Sequence, residues 1–219
     1  MAFTVPIRDP DDVQALLNYY KDRKEYRNYL LVSFAAHTAL RISDILKLKW
    51  CDVYDYTKKR FRTSVRIFEN KTGKSKSIYI NDSLLMALGT VEVAKYPQDP
   101  VFANRKGGAL SRVQAYRLIR TAGEELGLPA RVSAHSLRKT FGYHAWQNGA
   151  SPAVIMEIYQ HSDYNVTRRY LGVAQDDLNE VYQNMDCFYG QRSEQKKRLP
   201  APTERRTRRK NSLSNSITV

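Results

Sequence analysis

The sequence predicts an α+β domain, mostly helical, with one small antiparallel β-hairpin, and three observations predict it. Apolar residues recur at helical spacing along most of the chain. The period drops to two in a single stretch, where Phe61, Thr63, Val65 and Ile67 alternate with Arg62, Ser64 and Arg66. Ile78 and Ile80 alternate with Ser77 and Tyr79, and the intervening ENKTGKSK supplies a glycine for the turn. With 219 residues, 42% of them hydrophobic, the chain has enough apolar material for one real core.

Each element has its own signal. Val13, Leu16, Leu17 and Tyr20 set a helix over Asp11 to Lys21, with Asp11 and Asp12 at its favoured acidic end. Tyr26 to Ala39 is a strongly apolar core helix, and ISDILKLKW a further one, with Ser43 as a candidate cap. After the hairpin, Asn81 or Asp82 can cap a helix through about Lys95. VFANRKGGALS reads as a short strand and a Gly-Gly turn, and Ser111 caps a helix to about Leu126. His135 to Gln147 is the next helix, stopped by Asn148 and Gly149. Ser151-Pro152 starts another through Gln160. Thr167 to Leu171 and Asp176 to Tyr182 complete the series.

Charge limits the class of partner. There are 36 Lys and Arg against 22 Asp and Glu, a net +14, so the chain attracts a polyanion, with nucleic acid the default. From Gly190 onward, nine basic residues face two acidic ones, which puts half the net charge on a tail. The expected organisation is therefore a folded domain over 1–189 and a basic tail over 190–219, disordered without a partner. The start MAFTVPIRDPDDV has no apolar signal core, and no stretch is apolar enough to span a bilayer. Cys51 and Cys187 lack metal-ligand spacing and point to a reducing cytosol.

The residues with chemistry come in clusters. In HSLR, His135 and Arg138 are three apart on a helix and share a face in its first turn, a good phosphate cradle. A capping histidine and a solvated arginine are the ordinary explanation of such a pair. HSDYNVTRRYLG sets His161 nine residues before Tyr170, in a chain with fifteen tyrosines, most of them expected to be packing. TALRISDILKLKW puts Arg41 at a helix entrance with Asp44 one turn on, either an orienting carboxylate or an ordinary helix pair. The hairpin tip carries Lys71, with Lys74 and Lys76 nearby. Arg112, Gln114 and Arg117 begin a helix and could grip DNA or simply face solvent. His37 and His144 are assigned to structure. No metal-binding histidine spacing and no nucleotide-binding loop occurs, so the sequence calls for no cofactor.

In order and approximate spacing, TALRISDILKLKW, KTGKSKSIYI, VFANRKGGALS, HSLRKTFG and HSDYNVTRRYLG resemble the catalytic domain of the tyrosine recombinase (phage integrase) family. The likeness runs over roughly residues 4 to 175. It implies the DNA breaking-rejoining fold and a site-specific recombinase that integrates, excises or inverts DNA. Arg41 and Arg138 resemble the two catalytic arginines, Asp44 the supporting acid, Lys71 (or Lys74) the hairpin lysine, and His135 the first histidine. His161 resembles the late His/Trp position and Tyr170 the nucleophile. Gln160 departs from the glycine usual before that histidine, which bears on the local turn.

The resemblance further implies double-stranded DNA as partner, a homotetramer on paired sites, a monomer free in solution, no membrane, and a cytoplasmic place on bacterial or phage DNA. Members commonly carry a helical core-binding domain ahead of this one. Here the chain opens almost directly at the catalytic part, as a minimal recombinase or a trimmed one would. The apolar Leu178, Val181, Tyr182 and Met185 could dock on a neighbouring protomer or on their own domain. Two rivals share the fold: a non-catalytic DNA-binding regulator or accessory protein, and a type IB topoisomerase. A regulator has no physical need for all six of Arg41, Lys71, His135, Arg138, His161 and Tyr170.

Overall fold

A computed structural model describes residues 4–68, 75–128, 131–161, 163–171 and 175–184. The chain forms two units, Met1–Val173 and Ala174–Val219. The expected boundary at 189 and the basic tail lie outside the described residues, as does Cys187.

The first unit opens with α1 (Pro10–Asp22), whose N-cap Asp9 accepts from the Asp11 N–H, with Pro10 where a missing N–H costs nothing. Its buried Leu16, Leu17 and Tyr20 face α2 (Tyr26–His37), which is buried along almost its whole length. A helix apolar on all sides belongs at the centre. Accordingly, α2 packs against α1, α5 (Asp82–Leu88) and α7 (Ala134–Gln147).

After α2 come two short helices, α3 (Ile42–Ile45) and α4 (Trp50–Val53). Arg41, not Ser43, is the N-cap of α3, because the chain leaves α2 through a left-handed Ala39 (φ 53°) and is still extended at Arg41. Leu46 and Leu48 are buried as expected, but beyond the helical turn. The strands β1 (Tyr54–Asp55) and β2 (Arg60–Phe61) form one antiparallel pair, and β3 (Ser64–Phe68) and β4 (Ser75–Tyr79) the predicted hairpin. Val65 pairs with Ile78 and Ile67 with Lys76, and Val65 and Ile67 are buried, so alternation set the register.

Two further expectations are corrected. The helix capped by Asn81 stops at Leu88 instead of reaching Lys95, since Gly89 caps it and prolines follow at 97 and 100. VFANR makes no strand: Ala103 and Ala109 form a lone bridge across a turn held by the Asn104 side chain, which accepts from the Lys106 N–H and donates to the Ala109 carbonyl. Ser111 does cap α6 (Arg112–Glu125), and Gln114 closes the box by accepting from the Ser111 N–H.

The last three helices of this unit are α7, α8 (Pro152–Tyr159) and α9 (Tyr164–Leu171), which pack on one another. Ser133 caps α7 with a reciprocal bond to Ser136, and Ser151 caps α8. Ala39, Ile155, Tyr159 and Leu171 form a small second core beneath them. A strap, residues 4–8, runs along α7. Lys139 donates to the Thr4 carbonyl, Thr140 Oγ1 accepts from the Ile7 N–H, His144 Nε2 bonds the Ile7 carbonyl, and Arg8 lies over the Tyr143 ring. His144 is structural, as expected, and so is His37, whose Nδ1 bonds the Ser33 carbonyl. The second unit holds α10 (Gln175–Asn184), on which Leu178, Val181 and Tyr182 are exposed. Met185 lies outside the described residues.

Candidate active site

A cleft of about 290 Å³ is lined by Arg41, Ile42, Ala134, His135 and Arg138. Residues almost a hundred positions apart thus share one wall. The entrance of α3 supplies Arg41, and the first two turns of α7 supply His135 and Arg138. The turn at Ala39 makes this possible, because it swings the chain from the end of α2 to the mouth of α7. Left-handed backbone costs a residue with a Cβ about 1–2 kcal/mol, so the surrounding contacts must hold it.

Arg138 supplies that hold. It is 3% exposed, and its guanidinium donates to the Ala39 carbonyl and to the Tyr159 carbonyl, the latter at 3.3 Å. Each accepting carbonyl adjoins or belongs to a left-handed residue, Ala39 on one side and Gln160 (φ 55°, ψ 43°) on the other. One buried fork therefore fastens both turns that deliver site residues, and its fixed planar donors suit it to that work. The Gln160 turn explains the expected glycine: the position is left-handed, and the chain reaches it with a glutamine.

That turn carries His161. Its Nδ1 lies 3.0 Å from Thr167 Oγ1 in α9, and its ring stacks on Tyr159 with centroids 5.1 Å apart and planes 19° from parallel. Burial, then the charges of Arg138 and Arg41, push its pKa down to about 4. The shift records geometry, since both arginines are close enough to oppose a third positive charge. His135 stands at the exposed rim, where the protein beneath it, then Lys139 and Arg138, also lower its pKa. Both imidazoles are thereby favoured in the neutral form.

The remaining expected residues divide. Asp44 is buried one turn beyond Arg41 and accepts from Ser43 Oγ at 3.4 Å. Lys71 and Lys74 lie outside the described residues. Tyr170 sits in the last turn of α9, the helix that gives Thr167 to His161, and the placement of its side chain lies outside what is described. Arg112 and Arg117 are exposed on α6, whereas the Gln114 oxygen serves the cap.

Sequence reasoning passed over two neighbours and gave a third no role at the site. Tyr159 touches both Arg138 and His161, Thr167 holds the imidazole, and Lys76 Nζ donates to the Ile158 carbonyl from the hairpin at 3.2 Å. Position gave a signal for the first: Tyr159 stands two residues before His161.

The sequence pattern of the phage integrase family matches residues 8–176. The chain is 34% identical over 188 residues to the probable integrase/recombinase YoeC of Bacillus subtilis, covering 83% of this chain and 97% of that one. It is 31% identical over 148 residues to the type 1 fimbriae regulatory protein FimE of Escherichia coli K12, covering 66% and 73%. Among solved structures, XerA recombinase superposes with a TM-score of 0.67 at 22% identity, over 83% of this chain and 64% of that one. XerH bound to its palindromic difH substrate after cleavage gives 0.66 at 21% identity, over 85% and 55%. The likeness in fold thus spans between 55% and 64% of those longer chains.

Proposed function

This chain belongs to the phage integrase family, and from that membership we propose that it is a site-specific DNA recombinase that cleaves and rejoins double-stranded DNA through Tyr170. The observation that carries the reading is the shared cleft of Arg41, His135 and Arg138, with His161 in electrostatic reach of both arginines.

The chemistry follows from the side chains. A phenol with a pKa near 10 is a weak nucleophile at neutral pH, so cations must stabilise both the phenolate and the charge on the phosphorane. Arg41 and Arg138 hold the non-bridging oxygens, each contact worth about a hundred-fold or more in rate. Neutral His135, at the rim, takes the proton of the attacking phenol. His161 works as a neutral donor: its Nδ1 lies against the Thr167 hydroxyl, and in the tautomer that accepts from that hydroxyl the ring carries its proton on Nε2 and offers it to a phosphate oxygen. Lys71 protonates the departing 5′ oxygen. The Tyr170 oxygen bonds to phosphorus as the P–O5′ bond breaks, leaving a 3′-phosphotyrosyl end and a free 5′ hydroxyl. Return attack by a 5′ hydroxyl expels the tyrosine, and no external energy is needed.

DNA is gripped by Arg112, Gln114 and Arg117 at the start of α6 and by Lys74 of the hairpin. Recombination joins four strands, which calls for a homotetramer on paired sites and for a place in the cytoplasm with the DNA. Among the described residues, no helix is long and apolar enough to cross a membrane.

A nicked suicide duplex tests the proposal, its sequence taken from a search of the DNA beside the gene for inverted repeats. The chain should form a covalent protein–DNA complex that is lost in Tyr170→Phe and reduced at least about a hundred-fold in Arg138→Ala. Absence of such a complex on any duplex, with DNA binding intact, would favour the non-catalytic regulator.

A further inference from the structure

The residue that ties Arg138 to His161 is a tyrosine shut inside the protein. Tyr159 ends α8, is fully buried, and is among the largest side chains shut away from solvent. Its hydroxyl donates to the Arg138 carbonyl, and its own carbonyl accepts from Arg138 Nη2. The Arg138 guanidinium carbon lies 4.6 Å from the centre of its ring, and the His161 imidazole stacks on the same ring. Tyr159 therefore meets Arg138 through backbone, guanidinium and ring, and meets His161 through the ring.

This arrangement needs room on α7. Gly142 lies one turn beyond Arg138, and a Cβ built there would come within 2.4 Å of the Tyr159 hydroxyl and 2.9 Å of its ring. Any larger residue at 142 must push the tyrosine, and the tyrosine cannot move without displacing the arginine and the histidine stacked on it. Interiors packed at crystal-like density transmit such a shift instead of absorbing it.

We infer that Tyr159 is a positioning residue that sets Arg138 and His161 as one rigid unit for the reaction proposed above, with Gly142 as the vacancy that admits its ring. The inference rests on that reading of the site. Tyr159 is fully buried and acts through Arg138 and His161, so its effect belongs in the rate at saturating DNA and not in affinity.

The test uses the full 219-residue chain in excess over a nicked duplex carrying the site that the chain cleaves, found by screening the DNA beside its gene for inverted repeats. Tyr159→Phe keeps the ring and should cleave within about fivefold of wild type. Tyr159→Leu should slow cleavage by about 10–100-fold while the DNA dissociation constant stays within about twofold. Gly142→Ala should slow the wild-type background about tenfold and add little to Tyr159→Leu, where the ring it strikes is gone. The His161 ring protons, shifted upfield by the stacked tyrosine, should move downfield in the leucine variant and stay in place in the phenylalanine one.

Wild-type speed in Tyr159→Leu, a loss confined to affinity, equal slowing by Gly142→Ala in both backgrounds, or unmoved His161 resonances would each overturn the inference. Should Tyr159→Leu fail to fold, Gly142→Ala decides: cleavage at the wild-type rate with it would sink the idea. A wild-type chain that forms no covalent complex while the His161 resonances still move in Tyr159→Leu overturns the reading of the reaction, and shows packing without that role.

Discussion

Gln160 occupies left-handed backbone with a side-chain oxygen that is buried and has no hydrogen-bond partner among the described residues. Glycine at this position removes the Cβ clash and the stranded carbonyl, at the cost of a freer unfolded chain. Gln160→Gly should therefore raise stability by about 0.5–1 kcal/mol, or about 2–4 °C in Tm, read by thermal unfolding. A fall in Tm would mean that the amide does structural work the hydrogen bonds do not reveal. One residue on, His161 gives the site a pH signature. Its pKa is pushed from 6.5 down to about 4, so as pH falls the unfolded chain binds this proton first. The residue's contribution is whole above about pH 6.5 and drains away toward pH 4. Among the described residues, Arg41, Arg138, Tyr159 and Thr167 face it, and the two arginines oppose its charging. Urea unfolding at pH 7 and pH 4.5 should show a larger loss in wild type than in His161→Gln, and equal losses would refute the assignment.

Helix starts matter more here than helix lengths. The reciprocal bonds of Ser133 and Ser136 fix the first turn of α7, and His135 lies inside that turn. Ser133→Ala should cost about 1 kcal/mol in denaturant unfolding and also slow cleavage, because the rim histidine loses its footing. Unaltered stability would show that the strap alone holds the helix. Such caps were legible in the sequence: Ser111, Ser151 and Asn81 each stand just before an apolar run and each caps a helix. Helix ends were less so, and α5 stops seven residues short of the expected Lys95, because its end depends on where the chain must turn in space. The charged members of the cleft could be read in the sequence only through the resemblance of its ordered motifs to a family, because HSLR by itself has a capping histidine and a solvated arginine as its ordinary explanation. Tyr159 and Gly142 could not, since what matters about them is a fit between two helices that no local period encodes.

For the molecule as a whole, charge governs the encounter with DNA. The tail from Gly190 carries half of the net +14 and few apolar residues, so its contribution is electrostatic. Deleting residues 190–219 should weaken DNA binding and flatten its dependence on salt, because fewer counterions are released when fewer cations meet phosphate. Titrations at about 50 and 200 mM salt check this, and identical slopes with and without the tail would remove it from the interface.

The strap at the other end of the chain has a practical consequence. Thr4 and Ile7 are bonded to Lys139, Thr140 and His144, all on the helix that presents His135 and Arg138. Shortening the protein from the front to begin at Asp9 would strip a nearly buried ammonium of a carbonyl that accepts from it, one peptide unit away from a guanidinium. Strand cutting should then falter although nothing near the phosphate was altered, so bulky fusions are better attached at the opposite terminus.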